Sequence, residues 1–284
     1  MRHSLLDSAA RGFLIALFAP LILAAVSRAQ AMAGGQQATP TQSGVDSLQT
    51  ELHMLTDVQE QGGATDPQEV NAYKAFYRAD EPAKKIQLGN KFLQKYPKSA
   101  LDEPVDVGML NVYYQEQDWK EVYATAESAL VLKPDDLYVL TTVGWIIPHV
   151  YQPDSSDAGQ LLDKAETYSK HAIEVIPKMA KPSYMTDAQF ATMKAQSAVQ
   201  AHSALGLVYF RREDYANSVK ELQQSTPGTA NPDPTDLYVL GVDLENLNRF
   251  VDAADAYNRC AQINGPLQDR CKQSADAAKK QVPH

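Results

Sequence analysis

Apolar side chains in this chain recur mainly at spacings of three and four residues. From about residue 46 they form stretches of roughly 12 to 20 residues, separated by short breaks that often carry proline. No segment alternates apolar and polar residues strictly enough to predict a strand, and glycine is scarce, with 14 in 284 residues. The pattern therefore predicts an all-α chain.

One heptapeptide occurs twice. PDDLYVL runs from 134 to 140 and PTDLYVL from 234 to 240, and only their second residues differ. In each, proline ends the preceding helix and an oxygen-bearing side chain can cap the next one. The phrase therefore predicts a helix boundary inside an internal repeat. The aspartates within the two copies, and the one just before the second copy, are predicted to cap helices rather than to act as paired acid–base groups: Asp135, Asp136, Asp233 and Asp236.

A second repeat signal has a period of 35 residues. Leu205-Gly206 and Leu240-Gly241 are 35 residues apart, and so are the aromatic residues Tyr215 and Phe250, each of which opens a second helix. This unit, with Leu-Gly on its first helix and small residues around an aromatic on its second, resembles the tetratricopeptide repeat (TPR). The resemblance covers roughly residues 66 to 266 and is strongest in the last unit.

The resemblance implies a right-handed superhelical array of antiparallel helix pairs, a TPR-like solenoid. We expect about five pairs over residues 66–266, followed by a C-terminal capping helix over 267–284. Relative to the family pattern, one unit carries an insertion around residues 148–157. In its neighbour, Ser218 and Ser225 stand where alanines are expected.

Three glycines lie within predicted helices, at Gly144, Gly206 and Gly241. Glycine in a helix costs about 1 kcal/mol relative to alanine, so each position needs a compensating reason. We expect close approach of the paired helix, completed by small residues from the other side: Ala165, Ala172, Ala253 and Cys260.

The N-terminal residues follow a different pattern. Basic residues precede the apolar run from Gly12 to Val26, and small residues follow it, which predicts a cleaved signal peptide over residues 1–31. The alternative is an uncleaved inner-membrane anchor. Residues 32–65 read as a flexible spacer with a short helix. We therefore expect an exported protein, periplasmic or secreted, with no stable membrane insertion after cleavage.

Charge narrows the classes of partner. The chain has 26 basic and 35 acidic residues, a formal charge of −9. Cleavage after residue 31 would remove three basic residues and one acidic residue, leaving −11. An acidic chain is a poor match for nucleic acid or for an anionic membrane surface. A protein or an extended peptide segment is the expected partner.

Catalytic patterns are not evident in the sequence. The six histidines show no metal-ligand spacing, and no nucleophile elbow, P-loop or dinucleotide-binding glycine pattern occurs. We therefore predict a non-catalytic protein without cofactor or metal. The alternative is an enzyme, or an accessory subunit, with its site in the insertion around 148–157. A third alternative is that the repeats are what is left of a larger assembly module.

The TPR resemblance implies that the first helices of successive units line a concave peptide-binding groove. The positions that correspond in this chain are Asn111, Tyr114, Tyr138, Trp145, His149, Phe210, Arg211, Tyr238, Glu245 and Asn246. The alternative is that these side chains only pack between helices. The Lys/Asn/Arg set with which some TPR proteins bind a carboxylate tail is not evident.

The two cysteines, Cys260 and Cys271, are eleven residues apart, on either side of Gly265-Pro266. A turn at this point would place them on antiparallel helices at similar distances from the turn. An oxidising compartment would let them form a disulfide that ties the capping helix to the array. Two separate buried thiols remain the alternative.

Overall fold

The computed structural model describes residues 66–182, 185–226 and 232–282. The predicted signal peptide and the whole of the predicted spacer lie outside these residues. Within them the chain forms eleven α-helices and one short 3-10 helix, with no strand, which confirms the all-α prediction.

The helices follow one another as five pairs and a final single helix. The pairs are α1 (Pro67–Tyr77) with α2 (Pro82–Lys95), α3 (Asp102–Gln115) with α4 (Trp119–Leu132), α5 (Leu137–His149) with α6 (Ala158–Val175), α7 (Asp187–Arg211) with α8 (Tyr215–Ser225), and α9 (Pro234–Asn246) with α10 (Phe250–Ala261). The final helix is α11 (Gln268–Lys279). The predicted five pairs and a C-terminal helix are thus present.

The described residues fall into two compact units, 66–139 and 140–282, and α5 spans the division. The core of the first unit includes Tyr73, Phe76, Phe92, Leu101, Val105 and Met109. The core of the second is centred on α7 to α11 and includes Leu207, Leu222, Leu237, Tyr257, Cys260 and Cys271. Each unit therefore buries its own set of apolar side chains.

Three of the helix pairs are joined by the same turn. Gln117, Glu213 and Asn248 have φ angles of 58°, 60° and 57° and follow the ends of α3, α7 and α9. The next amide in each case donates to a carbonyl five residues earlier, as in Asp214 N to Tyr209 O at 2.9 Å. This is the bonding of a Schellman C-cap with a non-glycine residue in the left-handed position. The aromatic residues Trp119, Tyr215 and Phe250 then open the second helices, as the repeat pattern predicts.

The three helical glycines lie where paired helices approach each other. A Cβ atom built on Gly144 would be 2.7 Å from Ser169 Oγ of α6. On Gly206 it would be 2.5 Å from the Leu222 side chain of α8, and on Gly241 it would lie closer than 3.0 Å to the Tyr257 ring of α10. Close approach is confirmed, but two of the three neighbours are large side chains, not the alanines or cysteine expected. Those small residues stand three or four positions to either side of Ser169 and Tyr257.

The two copies of the heptapeptide differ in register. In the second copy all seven residues belong to α9, which begins at Pro234, whereas in the first copy the helix begins only at Leu137. Asp136 therefore caps its helix, accepting from Val139 N at 2.9 Å, a role that Asp233 has in α9. The prediction that Asp236 also caps a helix is wrong, because its carboxyl group lies inside α9 and is bonded to serines of α7 and α8.

Two other features position the candidate site. Helix α7 has 25 residues and begins at a capping box formed by Thr186 and Gln189, well before the Leu205-Gly206 pair that marks the repeat. Between α5 and α6 the predicted insertion forms an exposed connection after Tyr151.

Among the described residues, none of the helices combines the length and the apolar character needed to cross a bilayer.

Candidate functional site

The first unit brings three of the predicted groove residues together. Tyr138, in the first turn of α5, donates its hydroxyl proton to Asn111 Oδ1 of α3. Tyr114 is buried beside it, with its ring 6.1 Å from that of Trp119 in an edge-on arrangement. Burial raises the pKa of Tyr114 to about 12, and neighbouring Tyr138 adds to the shift. Tyr138 itself is 47% exposed, so it is the surface member of this cluster, which we name the Tyr138 patch.

In the second unit, Trp145 is supported by His149. The two rings lie 3.7 Å apart between centroids and are inclined by 31°. His149 Nδ1 lies 2.7 Å from the Trp145 carbonyl oxygen, and the imidazole is buried. Burial lowers the pKa of His149 to about 4, although Asp233 acts in the opposite direction. The imidazole is therefore neutral near pH 7. Of the two side chains only that of Trp145, which is half-buried, reaches the surface.

Arg211, the last residue of α7, links that helix to α5. Its Nε and Nη2 atoms donate to the Pro148 carbonyl oxygen at 3.2 and 3.1 Å. Its guanidinium also lies 5.5 Å from the ring centroid of Tyr151 and 5.7 Å from that of Phe210. The predicted residues Phe210 and Arg211 thus form a half-buried aromatic–cation cluster beside the insertion.

The predicted residues of α9 are largely engaged within the protein. Tyr238 is only 8% exposed, and its ring lies 5.6 Å from that of Tyr257. Glu245 accepts a hydrogen bond of 3.0 Å from Tyr257 Oη, and burial raises its pKa. Asn246 is exposed and donates from Nδ2 to Val242 O at 2.9 Å. Tyr138 and Tyr238 occupy the same position of the heptapeptide, but the two copies begin their helices at different residues, and only Tyr138 is exposed.

The insertion offers few groups in a catalytic arrangement. Ser155 donates to Asp157 within the exposed turn, while His149 bonds the Trp145 carbonyl. Across residues 66–182, 185–226 and 232–282, no group of three or more His, Cys, Asp or Glu side chains is placed to hold a metal ion.

A buried polar network that was not predicted from the sequence lies between α7, α8 and α9. Ser203 and Ser225 bond the two oxygens of Asp236 at 2.8 and 2.7 Å, and Ser218 bonds Asp243. Burial raises the pKa of Asp236 to about 7 and that of Asp243 to about 8, whereas the serine hydroxyls lower both. One feature of the sequence could have predicted this network. Ser218 and Ser225 are seven residues apart, and so are Asp236 and Asp243.

The structure contains a disulfide between Cys260 of α10 and Cys271 of α11, with Cα atoms 5.8 Å apart. Both residues are fully buried. The bond ties the last helix to the fifth pair.

No family model matches the chain, and no curated protein matches it. Among solved structures it is similar to a thermophilic TPR protein of Thermus thermophilus, with a TM-score of 0.44 and 14% sequence identity. That match covers 75% of this chain and 99% of the other.

Proposed function

We propose that this chain is an exported, non-catalytic scaffold that binds an extended segment of a partner protein. Each unit carries its own contact surface on the first helices of its pairs. In the first unit this surface is the Tyr138 patch, and in the second it is the cluster of Trp145, Phe210 and Arg211. Tyrosine, tryptophan and arginine are the residues that most often dominate protein interfaces.

The observation that carries this proposal is the state of Tyr138. The residue is 47% exposed, while its hydroxyl is held by Asn111 and its neighbour Tyr114 is buried. A large aromatic side chain that is exposed and yet already oriented loses little conformational entropy on binding. It also provides apolar area and a polar group in one place.

The cluster around Arg211 supports the same interpretation. The guanidinium is fixed by two hydrogen bonds to Pro148 O and lies near two aromatic rings. Trp145 is fixed by the neutral His149 ring in a similar way. Both side chains are half-buried, which suits contact with a narrow peptide segment.

The test is site-specific photo-crosslinking in the intact cell envelope. A photoreactive phenylalanine analogue at position 138 should give a discrete crosslinked product, and the same analogue at Val131 of α4, which is 81% exposed, should not. In a binding assay with the recovered partner, Tyr138→Ala should weaken binding at least about tenfold, as expected for an aromatic anchor. Equal crosslinking and equal binding for both positions would reject the site.

Export is tested separately. The N-terminus of the protein purified from its own cells should lie between Gln30 and Gly34 when read by mass spectrometry. Retention of Met1 in membrane-embedded protein would reject cleavage without affecting the binding-site proposal.

A further inference from the structure

The buried aspartates of α9 have an unusual set of partners. Asp236 is 1% exposed and Asp243 is fully buried, and neither has an ion-pair partner among the described residues. Their hydrogen-bonding partners are serine hydroxyls on α7 and α8. A buried carboxylate without a cation is costly, and such a group more often becomes neutral.

The number of hydroxyl protons available decides whether an ionised or a neutral carboxyl group fits the geometry. Ser218 Oγ lies 2.8 Å from the Gly206 carbonyl oxygen and is also bonded to Asp243 Oδ2. A hydroxyl has one proton, and a carbonyl oxygen can only accept it. If Ser218 donates to Gly206 O, the bond to Asp243 requires a proton on the carboxyl group.

Ser225 repeats the arrangement. Its Oγ lies 3.1 Å from the Leu222 carbonyl oxygen and 2.7 Å from Asp236 Oδ2, while Asp236 Oδ1 accepts from Ser203 at 2.8 Å. A carboxylic acid donates from one oxygen and accepts at the other, which satisfies all three groups. The remaining Asp243 Oδ1 has no partner, and this is less costly for a neutral acid than for a carboxylate.

We propose that Asp236 and Asp243 are held as neutral carboxylic acids, each donating its proton to a serine of α8, and that they form a proton-dependent joint between the fourth and fifth helix pairs. The joint holds while both protons are bound. Loss of a proton leaves a negative charge buried between α8 and α9 and opposes the packing of the last pair.

The surrounding charged groups do not replace the protons. Asp233, in the turn before α9, disfavours ionisation of Asp236, and Tyr257 of α10 faces Asp243. Arg259 of α10 donates to the Thr226 carbonyl oxygen. On the other side, His202 of α7 and Glu221 of α8 bond each other.

The consequence for stability has a definite sign. The folded-state pKa values of both groups lie above the usual value of about 4 for the unfolded chain. Between the two values the folded state holds a proton that the unfolded state has lost, so stability falls as pH rises. Each group lowers the folding equilibrium constant by up to about tenfold per pH unit in that interval.

The experiment compares the chain with its Asp236→Asn/Asp243→Asn variant in urea unfolding from pH 5 to pH 9. An asparagine amide can donate to the serine and accept at its carbonyl oxygen, so the variant should fold. The folding equilibrium constant of the parent should fall with rising pH, by up to about a hundredfold per pH unit where both aspartates lose their protons relative to the unfolded chain. The variant lacks both groups, so its folding equilibrium constant should not show this fall. Asp255→Asn, at an exposed position of α10, is the matched control and should keep the parent slope. An unchanged slope in the double variant would overturn the proposal.

A second measurement does not depend on the folding of any variant. Carbon-13 NMR of the assigned side-chain carboxyl groups in the unmodified chain should show Asp236 and Asp243 titrating well above the usual aspartate range of about 4. If the assigned signals of these two residues titrate near the usual range, the proton-dependent joint does not exist.

Discussion

The guanidinium of Arg270 in α11 lies over the ring of Tyr238 in α9, 5.1 Å from its centroid, and its Nε donates to the phenol oxygen at 2.8 Å. This contact helps to cover a tyrosine whose sequence counterpart, Tyr138, is exposed. A cation–π contact and a hydrogen bond each contribute roughly 0.5–1.5 kcal/mol. Arg270→Ala should therefore lower the free energy of unfolding by about 1–2 kcal/mol, measured by urea denaturation.

The control for Arg270 is Arg249→Ala. Arg249 forms an ion pair with Asp252 in which both side chains are about half exposed. Exposed pairs of this kind contribute little, so the change should stay within about 0.5 kcal/mol. Equal losses for the two variants would mean that the Tyr238 contact adds nothing beyond a surface charge.

Gly241 gives a prediction on packing. A Cβ at this position would lie closer than 3.0 Å to the Tyr257 ring, which is almost fully buried and cannot easily move away. Gly241→Ala should destabilise the chain by about 1–3 kcal/mol, and Gly241→Leu by more. Gly159→Ala, in a helix position with no atom within 4 Å, should be neutral or stabilising by up to about 1 kcal/mol. Thermal unfolding followed by circular dichroism distinguishes the two.

Ser169 and Ser218 should respond in opposite ways to replacement by alanine. Ser169 Oγ is buried without a hydrogen-bond partner, so its removal should leave stability unchanged or raise it by about 1 kcal/mol. Ser218 bonds both Gly206 O and Asp243, and its loss should cost about 1–3 kcal/mol in urea unfolding. A destabilised Ser169→Ala variant would show that this hydroxyl has a partner in solution.

The disulfide should contribute measurably to stability. The bond closes a short loop, since eleven positions separate Cys260 from Cys271, and loops of this size stabilise by about 2–3 kcal/mol. Cys260→Ala/Cys271→Ala should lose that amount in urea unfolding, and a reductant should then have no further effect on the variant. Two reactive thiols in denatured, unreduced parent protein would contradict the bond.

A further prediction concerns pH in the first unit. Burial raises the pKa of Glu103 to about 7, with Lys133 opposing the shift, while Asp136 forms the closer pair with Lys133 at 2.7 Å. The pKa of Glu103 is higher in the folded chain than the usual value of about 4 in the unfolded chain. The contribution of Glu103 to the free energy of unfolding is therefore fully present below about pH 4 and is lost as the pH rises toward 7. Glu103→Gln should flatten the pH dependence of urea unfolding in this interval, whereas Glu116→Gln, at an exposed position, should not.

Much of the fold could be predicted because its signals are local. The helical glycines marked close contacts, and the aromatic residues Tyr215 and Phe250 marked the starts of second helices. The early start of α7 was missed because Thr186 and Gln189 lie outside the repeat pattern, where only local capping chemistry indicates a helix. The register of α5 could not be read from the heptapeptide, since the same residues begin a helix at different points.

The candidate site was less predictable because exposure depends on neighbouring helices. Tyr138 and Tyr238 have the same local sequence, yet the second is covered by Arg270 from a helix beyond the repeat. His149 was expected on the groove surface, but it is buried under Trp145. The roles of Asp236 and Asp243 required knowledge of which face of α9 meets α8.

The bond between Cys260 and Cys271 also determines how force passes through the end of the chain. Tension applied beyond residue 271 reaches α10 through the sulfur atoms, so the connecting segment from 261 to 270 bears almost none of it. Mechanical unravelling from the C-terminus should therefore pass from Cys271 directly to Cys260 and leave the segment between them unextended, and a pull on the tail is borne directly by α10, the helix that packs against Gly241.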